Sequence, residues 1–119
     1  MKVLKNLVNV AVVNFHSIWG NKDATLKKIE RYVTKASEKK ANIVVFPELA
    51  LTGYDVEPEA KMHKRAAETI PGPSTNRIAN LANKHNIYVI FGIPERDPND
   101  GAKIYNSAAI VRPDGGVGA

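Results

Sequence analysis

Cysteine is absent from all 119 residues. Its absence excludes disulfides, thiolate metal sites and a cysteine nucleophile within this chain. No apolar run approaches the length of a membrane-spanning helix, so no membrane partner is predicted. The glycine patterns that cradle phosphates are missing too: the first apolar stretch leads into His16-Ser-Ile-Trp-Gly-Asn21, with neither GxGxxG nor GxxxxGK. A nucleotide-binding α/β domain is therefore disfavoured. Acidic residues are sparse at the start, where residues 1–40 hold nine Lys or Arg against three acids, whereas the remainder holds eight against nine. The early lysines fall on the polar side of a helical pattern without interleaved aromatics, which reads as a solvated face and not a nucleic-acid surface.

What is present is the composition of a soluble globular chain, 44% hydrophobic and 24% charged. Lys2 and Lys5 before Leu7 to Val13 imitate a signal peptide. Asn9 and Asn14 interrupt that run and no small-residue cleavage site follows, so a cytoplasmic first strand is the better reading. Apolar side chains lie on both faces of Leu7 to Val13, which predicts an interior strand. In the loop that follows, Trp19 is read as a plug at the sheet end, with a pocket wall as the alternative. His16 has no second ligand at a useful spacing, so no metal is predicted.

Asn21 is placed to cap a helix, and Leu26, Ile29, Val33 and Ala36 recur at spacings of three and four until Lys39-Lys40. That pattern predicts one amphipathic helix returning the chain to a second, parallel strand, Asn42 to Phe46. The four residues Ile43-Val-Val-Phe46 predict a strand covered on both faces. Pro47 ends it and delivers a carboxylate, Glu48, at the carboxyl end of a strand, where ligand chemistry collects in open α/β sheets. Thr52-Gly53 supports a turn that brings Tyr54 over that position.

Residues Glu57 to Glu68 predict a polar surface helix with Met62, Ala66 and Ala67 to bury. An ordinary exposed helix is the reading preferred over one in which Met62 and His63 border a substrate entrance. After Ile70-Pro-Gly-Pro73, Ser74 is expected to cap a helix with Ile78, Leu81 and Ala82 inward, ending near His85-Asn86. Ile87 to Ile93 predicts a third buried strand ended by Pro94-Glu95. Ile104 to Val111 predicts a fourth, paired with the third as an antiparallel hairpin. Arg112 to Gly116 is a further turn. The order β-α-β-α-α-β-β defines an α/β layered domain, with no internal repeat.

The phrase Phe46-Pro-Glu-Leu-Ala-Leu-Thr-Gly-Tyr54 resembles the first catalytic signature of the nitrilase superfamily, the carbon–nitrogen hydrolases. The likeness runs through nearly the whole chain: NVAVVN at residues 9–14, YVIFGIPE at 88–95 and IYNSAAIVRPDG at 104–115 stand in the family's order. Asn14 replaces a usual glutamine, and Lys40-Ala-Asn42 a usual Gly-Ala-Asp. The resemblance implies an α-β-β-α sandwich and a Glu-Lys-Cys hydrolysis of non-peptide C–N bonds in small amides or nitriles, without cofactor. In it the glutamate takes a thiol proton, the thiolate attacks, and lysine steadies the oxyanion. Glu48 maps onto the base, which that chemistry needs partly buried with a pKa near neutral. Tyr54 is the candidate substrate-binding residue. The lysine, expected a few residues beyond the Pro-Asp-Gly turn, and the cysteine have no match here. Residues 1–119 are thus read as the N-terminal portion of such a hydrolase, expected to be inactive alone. The alternative is a non-catalytic binding or regulatory module on the same fold. Half a sandwich leaves apolar sheet surface uncovered, which predicts a homo-oligomer or a complementary C-terminal half.

Overall fold

The computed structural model describes residues 7–119, so Lys2 and Lys5 lie outside the described residues. Five strands form one sheet in sequential order: β1 (Val10–Val12), β2 (Ile43–Val45), β3 (Tyr88–Arg96), β4 (Ile104–Val111) and β5 (Val117–Gly118). β1, β2 and β3 are parallel, and β3, β4 and β5 are antiparallel neighbours. The helices are α1 (Lys22–Glu38), α2 (Lys61–Ala66) and α3 (Pro73–His85). No helix among the described residues is long and apolar enough to cross a membrane.

The predicted order holds, with the two-residue β5 added beyond the Pro113-Asp-Gly turn. Helix α1 begins where its cap is: the Asn21 carboxamide accepts from the Ala24 N–H at 3.1 Å. Its stripe of Leu26, Ile29, Val33 and Ala36 is buried, as are Ile78 and Ala82 of α3. Both helices pack on one face of the sheet, where Val44, Phe46, Val89, Phe91, Ala109 and Val111 form the core with them. A single apolar face thus holds the layer together, each buried aliphatic side chain adding roughly 1.5–3 kcal/mol.

Among the described residues the other face is covered only near Gly92 and Pro94, where the chain leaving β2 turns back over it, and this corrects two expectations. β1 is an edge strand, not an interior one, and Val10 and Val12 are 54% and 80% exposed. In β2 only Val44 is buried, with Phe46 buried just beyond it, while Ile43 and Val45 on the opposite face are half-exposed. A run apolar on both sides signals two apolar faces, but it does not say whether this chain supplies both coverings.

Three further expectations change. β3 runs through Pro94 to Arg96 and does not stop at it. The Pro94 carbonyl points beyond the end of β2, where Glu68 N–H reaches it at 3.2 Å, so the missing proline N–H interrupts no ladder bond. The segment Glu57 to Glu68 is not one helix. Glu59 and Ala60 have φ of 57° and 54°, which split it into a 3-10 turn, Pro58–Ala60, and the short α2. Met62, Ala66 and Ala67 are buried as expected. Finally, the N-cap of α3 is Gly72, with Pro73 in the first turn, and Ser74 is not the cap.

Ser74 instead serves Glu68, an acid that no local pattern singles out. The Glu68 carboxylate, 7% exposed, accepts from Ser74 N–H at 2.7 Å, Ser74 Oγ at 2.6 Å and Lys22 Nζ at 2.9 Å. One anion thereby ties the starts of α1 and α3 together, a placement that the positive end of α3 favours. Its backbone also bridges to β3, with Arg96 N–H donating to Glu68 O at 2.7 Å. Glu68→Ala is expected to cost about 2–4 kcal/mol, because it strips the acceptor from the buried Ser74 N–H and hydroxyl and the counter-charge from Lys22, which keeps only its bond to the Ala66 carbonyl. Thermal denaturation should show Tm falling by on the order of 10 °C or more. Lys22→Met should cost less, since Lys22 stays one-third exposed (33%).

Candidate active site

The chain leaving β2 turns back sharply over the sheet. Ala50 N–H reaches Pro47 O at 3.2 Å, and Gly53 N–H reaches Leu49 O at 2.8 Å. Leu49 takes φ of 49° to make this turn, a left-handed geometry costing a non-glycine residue about 1–2 kcal/mol. Burial of its side chain, 7% exposed, offsets that strain.

The turn lies against β3 at Gly92. A Cβ built there would stand 2.1 Å from Leu49 N and 2.7 Å from both the Glu48 carbonyl carbon and Pro47 O. Only glycine allows that approach. Two backbone bonds fasten it, Gly92 N–H to Pro47 O at 3.2 Å and Leu51 N–H to Gly92 O at 3.1 Å.

So placed, Glu48 projects from the turn with both carboxylate oxygens engaged. Tyr54 Oη donates to Oε2 at 3.0 Å, and Asn106 Nδ2 of β4 donates to Oε1 at 2.5 Å. The structure thus brings the two sequence-predicted site residues together. It adds Asn106, whose only signal was an amide in the otherwise mostly apolar Ile104–Val111 strand.

Tyr54 is held from behind. Trp19 Nε1 donates to Tyr54 O at 2.7 Å, and Gly20 N–H donates to Thr52 O at 2.9 Å. Trp19 is 45% exposed and lines a cavity of about 410 Å³ with Phe15, Pro47, Glu48 and Tyr54. It is a wall of the site and not the plug that its loop position suggested; an indole with a partnered N–H and an open face suits such a wall. Gly53, with φ of 80°, passes so close that a Cβ would meet the indole at 3.3 Å.

His63 also departs from expectation. It is half-buried, its Nε2 lies 3.0 Å from Gly53 O, and it borders a second cavity of about 340 Å³ with Leu49, Tyr105 and Asn106. Met62 is buried at 2% exposure and borders neither cavity. His16 is exposed, and among the described residues no three His, Asp or Glu side chains gather to hold a metal ion.

The electrostatics differ from a base kept near neutral by burial. Glu48 is exposed, and its carboxyl is held below the usual range, first by the Asn106 hydrogen bond and then by Tyr54, against a smaller opposing effect of burial. The same contact pushes the Tyr54 hydroxyl above its ordinary value. The arrangement therefore presents an oriented carboxylate anion to a cavity walled by aromatics, able to accept a proton from a bound acid.

The sequence profile of the carbon-nitrogen hydrolases matches residues 9–119. The chain belongs to that family. It is 33% identical over 118 residues to the protein N-terminal amidase of Saccharomyces cerevisiae, covering 96% of this chain and 25% of that one. A nitrilase of Pyrococcus abyssi is 32% identical over 112 residues, covering 94% of this chain and 42% of the relative. Nitrilase 3 of Arabidopsis thaliana is 29% identical, covering 91% and 35%. Among solved structures, an N-terminal amidase bound to a Gln-Val peptide superposes with a TM-score of 0.76 at 32% identity, over 92% of this chain and 26% of that one. Saccharomyces cerevisiae Nit3, of the nitrilase superfamily, gives 0.78 at 27%, over 92% and 41%. This carbon-nitrogen hydrolase chain thus spans 25% to 42% of the length of these curated relatives.

Proposed function

We propose that this chain is the N-terminal, base-bearing portion of a carbon-nitrogen hydrolase that cleaves small amides or nitriles through a Glu-Lys-Cys mechanism. Glu48 is the general base and Tyr54 contacts the substrate. The observation that carries this reading is the carboxylate of Glu48, fixed on both oxygens at the rim of a cavity just past the end of β2. In the proposed sequence for an amide, Glu48 takes the proton of a cysteine thiol, the thiolate adds to the carbonyl carbon, and the C–N bond breaks as Glu48 returns that proton to the departing ammonia, leaving a thioester. Glu48 then activates the water that breaks the C–S bond and releases the acid. A nitrile first gives a thioimidate, which takes up one water to release ammonia and leave the same thioester. The lysine and cysteine come from residues that these 119 do not include, and by itself the 119-residue chain is expected to release no ammonia.

The test is co-expression with the C-terminal part of a relative carrying both residues, followed by assay of ammonia release from simple amides and nitriles. Turnover by the complex supports the reading. A folded complex without turnover overturns it and favours a non-catalytic binding module on the same fold.

The uncovered sheet face motivates a second part of the proposal. Val10, Val12, Tyr88 and Ile110 lie on it, 40% to 80% exposed, beside the open edge of β1. That surface is proposed to be covered by the complementary half or, without it, by another copy. Sedimentation equilibrium of the isolated chain is expected to show self-association that added salt does not reverse. A compact monomer at high concentration would count against it.

A further inference from the structure

We propose that Asn106 is a positioning residue for Glu48, locking the carboxylate through Oε1 while Tyr54 holds Oε2. The inference deepens the reading of Glu48 as a base and rests on it for its catalytic consequence, but its geometric content stands apart.

Asn106 stands opposite Pro94 in the β3–β4 register, two residues from Ala108 and four from Ile110 on the same face. Asparagine is depleted in strands, so strand stability does not account for it at this place. Its Nδ2 makes a bond of 2.5 Å to a residue 58 positions away. An ionised carboxylate can only accept, so the amide must turn its N–H₂ and not its oxygen towards Glu48.

Two single bonds on two oxygens, from two separate elements, leave the carboxylate little freedom to rotate. They occupy about half of its lone-pair positions and leave the rest for a proton donor. Tyr54 lies only six residues from Glu48, at the end of the same turn, so its bond does not tie the carboxylate to the sheet as the Asn106 bond does. Asn106 belongs to the longest strand pairing of the sheet, eight residues in register with β3, and supplies the fixed reference. Restricting a reacting group in this way lowers the entropy lost on reaching the transition state.

The same bond has a definite pH signature. Hydrogen bonds to the charged form depress the Glu48 pKa, so the stability they contribute is present above the ordinary glutamate value and is lost as pH falls through the folded value. The experiment is a carboxyl ¹³C NMR titration of the 119-residue chain as wild type, Asn106→Ala and Asn106→Asp. Glu48 is expected to titrate below an ordinary glutamate in the wild type and to rise towards it in Asn106→Ala. Asn106→Asp, which keeps the size but replaces a donor by a like charge, should raise it further, while Asp55 and Asp23, each held below the ordinary aspartate value by its own partners, stay where they were. An unchanged Glu48 titration in both variants overturns the proposal.

In the complex assembled with a C-terminal half, Asn106→Ala is expected to lower kcat on the order of tenfold to hundredfold. KM should stay within about twofold, because an interaction with the base alone leaves substrate binding in place. The acidic limb of the pH profile should move up with the NMR value. A purely structural role would instead move Tm and leave Glu48's titration alone. An inactive wild-type complex would count against the hydrolase reading, while the NMR result would still decide the role of Asn106.

Discussion

Glu48→Gln is expected to lower ammonia release by the assembled complex by about 10²–10⁴-fold, the usual contribution of a positioned general base. The replacement is nearly isosteric. The carboxamide oxygen can still accept from Asn106, and Tyr54 Oη, which now donates at 3.0 Å, can turn to accept from the new N–H₂. Geometry and fold therefore survive, and the proton-accepting capacity is what disappears. The loss should fall on kcat with KM little changed, since ground-state binding does not require the negative charge. Single-turnover measurements would show thioester formation slowed along with its hydrolysis, because one carboxylate serves both steps. Turnover within a fewfold of wild type in a folded complex would remove Glu48 from the role of base.

Gly92→Ala is expected to have the largest effect on structure. The new methyl would stand 2.1 Å from Leu49 N, closer than any non-bonded carbon can approach, with Glu48 C and Pro47 O at 2.7 Å. All three are backbone atoms, so no side-chain rotation relieves the clash. The turn must lift away from β3, losing the bonds between Gly92 and both Pro47 and Leu51. Overpacking of this kind costs about 1–3 kcal/mol and more where backbone must move. We expect about 3 kcal/mol, with Tm lower by on the order of 10 °C or more in thermal denaturation. A chain that still folds should have lost the Glu48–Asn106 contact, because lifting the turn draws Glu48 away from β4. Its Glu48 should then titrate like that of Asn106→Ala. A Tm within about 2 °C of wild type would show that the turn does not need the close approach.

These two positions differ in how far the sequence reveals them. Glu48 announces itself: an apolar run, a proline and one acid fix a strand end and its charge through neighbours only. Gly92 does not, because a glycine inside a strand has many possible reasons, and the one that applies here is a backbone 43 to 45 residues earlier in the chain. Trp19 was legible as a loop aromatic, but whether it plugs the sheet or walls a cavity depends on where residues 50–54 return. Glu68 was hidden for a related reason. An acid between two helical segments looks solvated until α1 and α3 converge on it.

Local pattern alone determined the amphipathic α1 with its Asn21 cap, the βαβ unit, the β3–β4 hairpin and the family signature ending in Tyr54. Each depends on periodicity, capping or turn chemistry within about a dozen residues, and such preferences hold wherever the segment finally sits. Tertiary structure decided the rest: the edge position of β1, the passage of β3 through Pro94, the burial of Glu68 and the meeting of Glu48 with Asn106. Those features depend on which strand lies beside which and in what register. A shift of one residue in β4 would send Asn106 to the opposite face and leave Glu48 held by Tyr54 alone.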